Sequence, residues 1–147
     1  MACSDVPNAG ADAAADNSDQ FVTLFRGDRP GTTVIKSPAA QVGGYAESQS
    51  LIDEGNLDDL FSAHAADSWS PPSPFISLTS DRQVAEYFAG PNGVVNEFSV
   101  PLSRATSNPF NNFVVPAGPG GSLIPEAEYL VPNYLRPSEF ITRPPGG

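Results

Sequence analysis

The chain has 147 residues, a length that suits one domain with a real core rather than two. Charged residues make up 16%, with 16 Pro and 13 Gly, which favours a strand- and loop-rich domain over a helical bundle. The net charge of −10 opposes general binding to nucleic acid or to an anionic membrane, but it leaves room for a small anionic ligand held by one or two arginines.

Residues 1–20, rich in Ala, Asp, Asn, Gly and Ser, read as a flexible leader, with the folded domain over 21–143. The lone cysteine, Cys3, can close no internal disulfide, and with a single histidine, His64, it offers no zinc-type spacing. No apolar run is long enough for a membrane helix, and no basic-then-apolar pattern marks a signal peptide.

Residues 21–26 alternate as a first strand, and the Gly27-Asp28-Arg29-Pro30-Gly31 run predicts a turn. Residues 57–65 follow a helix pattern, with Asn56 as N-cap and Leu57, Leu60, Phe61, His64 and Ala65 on one face. Residues 75–79 read as a short strand. Ser80 and Gln83 fit a capping box for a helix whose apolar face is Val84, Ala85 and Phe88, stopped by Gly90-Pro91. A strand is expected at 93–100, a short apolar piece at 113–115 and a last strand at 139–142, with 144–147 a frayed tail. The Pro- and Gly-rich run 116–125 predicts a mobile loop without regular structure.

That loop leads into Glu126-Ala127-Glu128. On an extended segment the two carboxylates share a face, with Cβ atoms roughly 7 Å apart. Like charges so close should raise one pKa. Such a pair suits chemistry at a glycosidic bond, where one acid stabilises a cationic sugar and the other handles a proton. The plain alternative is an exposed edge strand.

Three polar groups stand in order at strand-like segments: Arg26 in Phe25-Arg26-Gly27-Asp28, Ser77 in Phe75-Ile76-Ser77-Leu78-Thr79, and Glu128 in Glu126-Ala127-Glu128-Tyr129-Leu130. In this the chain resembles the mono-ADP-ribosyltransferases of the arginine–serine–glutamate class, of cholera- and pertussis-toxin type. The first motif is an arginine after an aromatic residue. The second is a serine–threonine–serine stretch after an aromatic residue, matched at Ser77, with Leu78 and Thr79 in the other two places. The third, Glu-x-Glu, matches fully. Glu128-Tyr129-Leu130 through Pro137-Ser138-Glu139 also resembles the toxins' Glu-Tyr-Leu followed by a proline and an acid. The likeness spans roughly residues 21–142.

The resemblance implies an α+β fold, with a split, strand-rich core of two small sheets and flanking helices, and NAD as the co-substrate. Arg26 would hold a phosphate or ribose of NAD. Gly27 would let its backbone approach the nicotinamide amide. Ser77 would position Glu128, and Glu128 would stabilise the oxocarbenium as nicotinamide leaves. Glu126 would orient or deprotonate the acceptor, with arginine favoured. The loop 116–125 would contact the target. Either His64 or Asp59 would fill the family's histidine position, and Tyr87, with Phe88, would shape the nicotinamide pocket. Ordinary packing is the plain reading of His64 and of Phe88.

The resemblance further implies a toxin or effector delivered into the cytosol of a target cell, a protein of that cell as acceptor, and a neutralising immunity protein in the producer. NAD hydrolysis on the same scaffold is one alternative. Another is a non-enzymatic module, for which Arg26-Gly27-Asp28 offers an adhesive tripeptide. No Gly-x-Gly-x-x-Gly fingerprint supports a dinucleotide-binding dehydrogenase.

Overall fold

The computed structural model describes residues 20–32, 34–135 and 140–143. Most of the expected leader, the tail 144–147 and Pro137-Ser138-Glu139 lie outside those residues. The described elements are β1 (Phe21–Asp28), β2 (Ile35–Lys36), α1 (Pro38–Glu54), α2 (Leu57–Ala66), β3 (Phe75–Thr79), α3 (Arg82–Ala89), β4 (Val94–Pro101), β5 (Thr106–Ser107), β6 (Val114–Val115), β7 (Ile124–Pro125), β8 (Glu128–Pro132), β9 (Tyr134–Leu135) and β10 (Phe140–Arg143). The domain is thus mixed α+β.

Six strands form one antiparallel sheet in the order β10-β4-β1-β3-β8-β5. The pairing within it is uneven. β1 runs beside β4 from Phe21↔Pro101 to Asp28↔Val94, and β3 runs beside β8 from Phe75↔Pro132 to Thr79↔Glu128. Between these two halves a single pair, Phe25↔Thr79, joins β1 to β3. In place of the expected pair of small sheets, the described residues form one larger sheet whose two halves join at a single pair.

Strand alternation decides which side chains are buried. Leu24, Ile76, Leu78, Phe98, Val100 and Val131 gather with Ile35 and Leu135 on one face. Each such side chain contributes about 1.5–3 kcal/mol when fully buried. On the other face of β3 and β8, Phe75 and Leu130 pack under Phe61 of α2, the Phe61 and Phe75 rings meeting edge to face at 5.0 Å. Asn56 caps α2 as expected, its side chain accepting from the Asp59 amide. Leu57 does not join the apolar face; it is exposed, because it sits in the first turn beyond the reach of the sheet.

Three further expectations change. α3 is capped by Asp81, whose carboxylate accepts from Gln83 N at 2.9 Å, and not by Ser80. β1 continues through Gly27 and Asp28, which pair with Val95 and Val94, so the turn starts later. The run 116–125 is the connection and second strand of a short hairpin, its regular structure confined to a turn at 119–121 and to 124–125. β6 pairs with β7 across a Pro119–Gly121 turn, where Gly120 and Gly121 adopt positive φ of 66° and 81°.

Gly27 has a packing reason to be glycine. A Cβ there would lie 2.4 Å from both Ala85 O and Ala89 N of α3. Both are backbone atoms, so the helix itself would have to move. Gly27→Ala should therefore lower stability by about 1–3 kcal/mol in urea unfolding. An unchanged midpoint would contradict this contact between α3 and β1.

Candidate active site

The hinge between the sheet halves opens a cleft of about 250 Å³. Phe25, Gly27, Val84, Ala85 and Phe88 give it an apolar wall, and Arg26, Ser77, Thr79, Glu126 and Glu128 supply polar groups. Three sequence-distant motifs thus meet in one depression. β3 and β8 are in register with Glu128 opposite Thr79 and Leu130 opposite Ser77. Antiparallel pleating puts Ser77, Thr79, Glu128 and Leu130 on the same face.

Glu128 is buried, with 7% of its surface exposed. Ser77 Oγ donates to Glu128 Oε2 at 2.5 Å, and Asn108 Nδ2 donates to Glu128 Oε1 at 2.9 Å. His64 Nε2 lies 3.4 Å from Oε2, while its Nδ1 shares a 2.7 Å hydrogen bond with Ser73 Oγ. Burial pushes the Glu128 pKa up. Hydrogen bonds from His64 and Ser77, the nearby Asn111 amide and electrostatic attraction to His64 outweigh it and hold the carboxyl at about 2. The expected like-charge rise therefore does not occur at Glu128, because its neighbourhood is rich in donors.

The acid pair is not a continuous extended segment either. Ala127 adopts φ 51°, in the left-handed region, and β8 begins only at Glu128. An alanine there is uncommon. Thr79 holds the turn in place. Its hydroxyl donates to Glu126 O at 2.7 Å, and Ser80 N donates to Ala127 O at 3.2 Å. Glu128 reaches the cleft from the first position of β8, and Glu126 through this turn rather than through alternation. Glu126 is half-buried and accepts from Asn111 Nδ2 at 2.7 Å.

Arg26 spans the hinge. Its Nη1 donates to Ser77 O at 2.8 Å and its Nε to Asp28 Oδ1 at 2.9 Å. Asn96 Nδ2 donates to the other Asp28 oxygen at 2.8 Å. The Arg26-Gly27-Asp28 tripeptide is therefore paired strand with its charges bound to each other, which is a poor presentation for adhesion. Arg26 also borders two neighbouring hollows, one of about 370 Å³ with Asp28, Thr32, Lys36 and Gln41, and one of about 100 Å³ with Lys36, His64, Trp69 and Ser77.

Of the two residues weighed for the histidine position, His64 is buried against Glu128, whereas Asp59 is exposed at the start of α2. Tyr87 does not line the cleft. It is exposed and backs the Phe88 ring edge to face at 5.2 Å, and Phe88 itself forms the wall. The two are consecutive in α3, so about 100° of rotation around the helix separates them. Asn108 escaped the sequence reading. Its signal was the Asn-Pro-Phe-Asn-Asn run at 108–112, a pattern of side chains that bond their own backbone. Among the described residues, no group of His, Cys, Asp and Glu is arranged to hold a metal ion, and no helix is long and apolar enough to cross a membrane.

Comparison with protein-family models, curated proteins and solved structures finds no match to this chain.

The lowered Glu128 pKa fixes the sign of a pH effect. Its contribution to stability is full above the ordinary value of 4.5 and is lost as pH falls through about 2. In urea unfolding, about 3 kcal/mol should disappear through this one group between those limits. Glu128→Gln should lack that part of the slope, and identical pH dependence in the two proteins would contradict the assignment.

Proposed function

We propose that this chain is an NAD-dependent mono-ADP-ribosyltransferase, of the fold its sequence resembles, which acts as an effector on a protein of a target cell. The observation that carries the reading is a buried, ionised Glu128 held by Ser77 in a cleft that Arg26 spans. These are the three motifs that the sequence arranges in order.

The residues suit NAD. A single hollow of about 250 Å³ falls below the usual range for ligand sites, and Arg26 links it to two more. Lys36 adds a second cation beyond Arg26, appropriate to a diphosphate. Phe88 and Phe25 offer apolar surface to an aromatic ring in the cleft. The net charge of −10 makes two cations beside one groove more telling than they would be on a basic protein.

In this reading Glu128 stabilises positive charge developing on the ribose as the nicotinamide bond breaks. Its fixed ionisation matters here, because a protonated acid would offer no such charge. Ser77 and His64 restrain its orientation. Arg26 anchors phosphate. Glu126, at the junction of the hairpin and the cleft, orients or deprotonates the incoming side chain, and arginine is the favoured acceptor. The hairpin from Phe113 to Glu126 exposes Phe113, Val114 and Leu123 beside that acid, a surface suited to contact with the target.

Labelled NAD mixed with a cell lysate tests the proposal. The parent protein should label protein bands, and Glu128→Gln should reduce labelling at least about 100-fold. Glu126→Gln should lose labelling of protein while still releasing nicotinamide. Free ADP-ribose without labelled protein would make the chain an NAD glycohydrolase, and equal labelling by Glu128→Gln would remove Glu128 from the chemistry.

A further inference from the structure

Asn108 follows directly on β5 at the sheet edge and is 4% exposed. It does not border the cleft, yet every polar group of its side chain is engaged. Nδ2 donates to Glu128 Oε1 at 2.9 Å and to Phe61 O at 3.2 Å, and Oδ1 accepts from Phe110 N at 3.0 Å. Its backbone N donates to Glu128 O at 3.0 Å. One side chain thus ties the acid to α2 and to the turn that enters the hairpin.

The distribution of donors on Glu128 is asymmetric. Ser77 Oγ and His64 Nε2 both face Oε2, and Asn108 Nδ2 donates to Oε1. The two oxygens are therefore held from different sides, Oε2 by β3 and α2 and Oε1 by the segment after β5. The carboxylate cannot rotate to exchange these roles without breaking the Asn108 bond. A buried Asn left without that partner would also lose a charge-assisted hydrogen bond.

We propose that Asn108 is the positioning residue that fixes the orientation of the Glu128 carboxylate toward a ribose hydroxyl of NAD, an assignment that rests on the transferase reading above. Asn108 acts through Glu128 and touches no ligand. Ser77 sets one oxygen of the acid, and Asn108 sets the other.

Two readouts test it, in Asn108→Ala and in the isosteric Asn108→Asp, which keeps the acceptor for Phe110 N but removes the donor. In steady-state NAD turnover, kcat should fall about 10- to 100-fold with KM for NAD within twofold. In side-chain 13C NMR of folded protein, the Glu128 carboxyl should titrate at a pH about one unit or more higher than in the parent. Asn108→Asp should show the larger rise, since it adds a like charge beside the acid. An active parent with unchanged kcat and an unchanged Glu128 titration in both variants would overturn the role of Asn108 and leave the transferase reading standing. No NAD turnover in the parent would overturn the transferase reading and, with it, the part assigned to the ribose hydroxyl.

Discussion

A buried carboxylate must be given donors or it will not stay ionised, and the architecture around Glu128 follows from that constraint. Isolated in an apolar site, such a group takes up a proton instead. Here donors come from three directions. Ser77 belongs to the neighbouring strand, His64 to the helix above, and Asn108 to the segment entering the hairpin. Two of these donors are in turn held, His64 by Ser73 Oγ and Asn108 by Phe61 O and Phe110 N. The result is a carboxylate whose position is held by the fold and whose charged form is favoured despite burial.

The second constraint is the hinge. A sheet paired along its whole length leaves no opening between neighbouring strands. β1 and β3 share one pair, and the side chain of Arg26 reaches across to Ser77 O near it. The same arginine is tied to Asp28, and Asp28 to Asn96 of β4. Arg26 therefore does two jobs: it links the sheet halves and it lines the cleft. Gly27 sits beside it because α3 packs directly on the strand and leaves no volume for a side chain.

The parts of the molecule that were readable in the sequence are those governed by short-range patterns. β1, β3, α2 and α3 announce themselves through alternation, helical spacing and polar caps, and Arg26, Ser77, Glu126 and Glu128 through their order. Long-range and backbone-borne features were not readable. α1 has no apolar stripe. Its residues 41–47 are all exposed and Gly44 breaks it at φ 87°, although Ser37-Pro38 is a fair helix-start signal. The 116–125 hairpin is hidden by its Pro and Gly content. The left-handed Ala127 has no local signature, because the Thr79 hydroxyl that supports it comes from another strand. The Asn-rich run at 108–112 signals only local turn bonds, and nothing local marks the partner of Asn108 twenty residues away.

The most direct test of the account is where NAD binds. Chemical-shift mapping by NMR on addition of NAD should move the resonances of Arg26, Gly27, Ser77, Phe88 and Glu128 most strongly. The separate hollow lined by Tyr45, Gln49 and Tyr134 should stay unchanged. Shifts centred on that hollow, or no shifts at millimolar NAD, would contradict the claim that the Glu128 cleft is an NAD site.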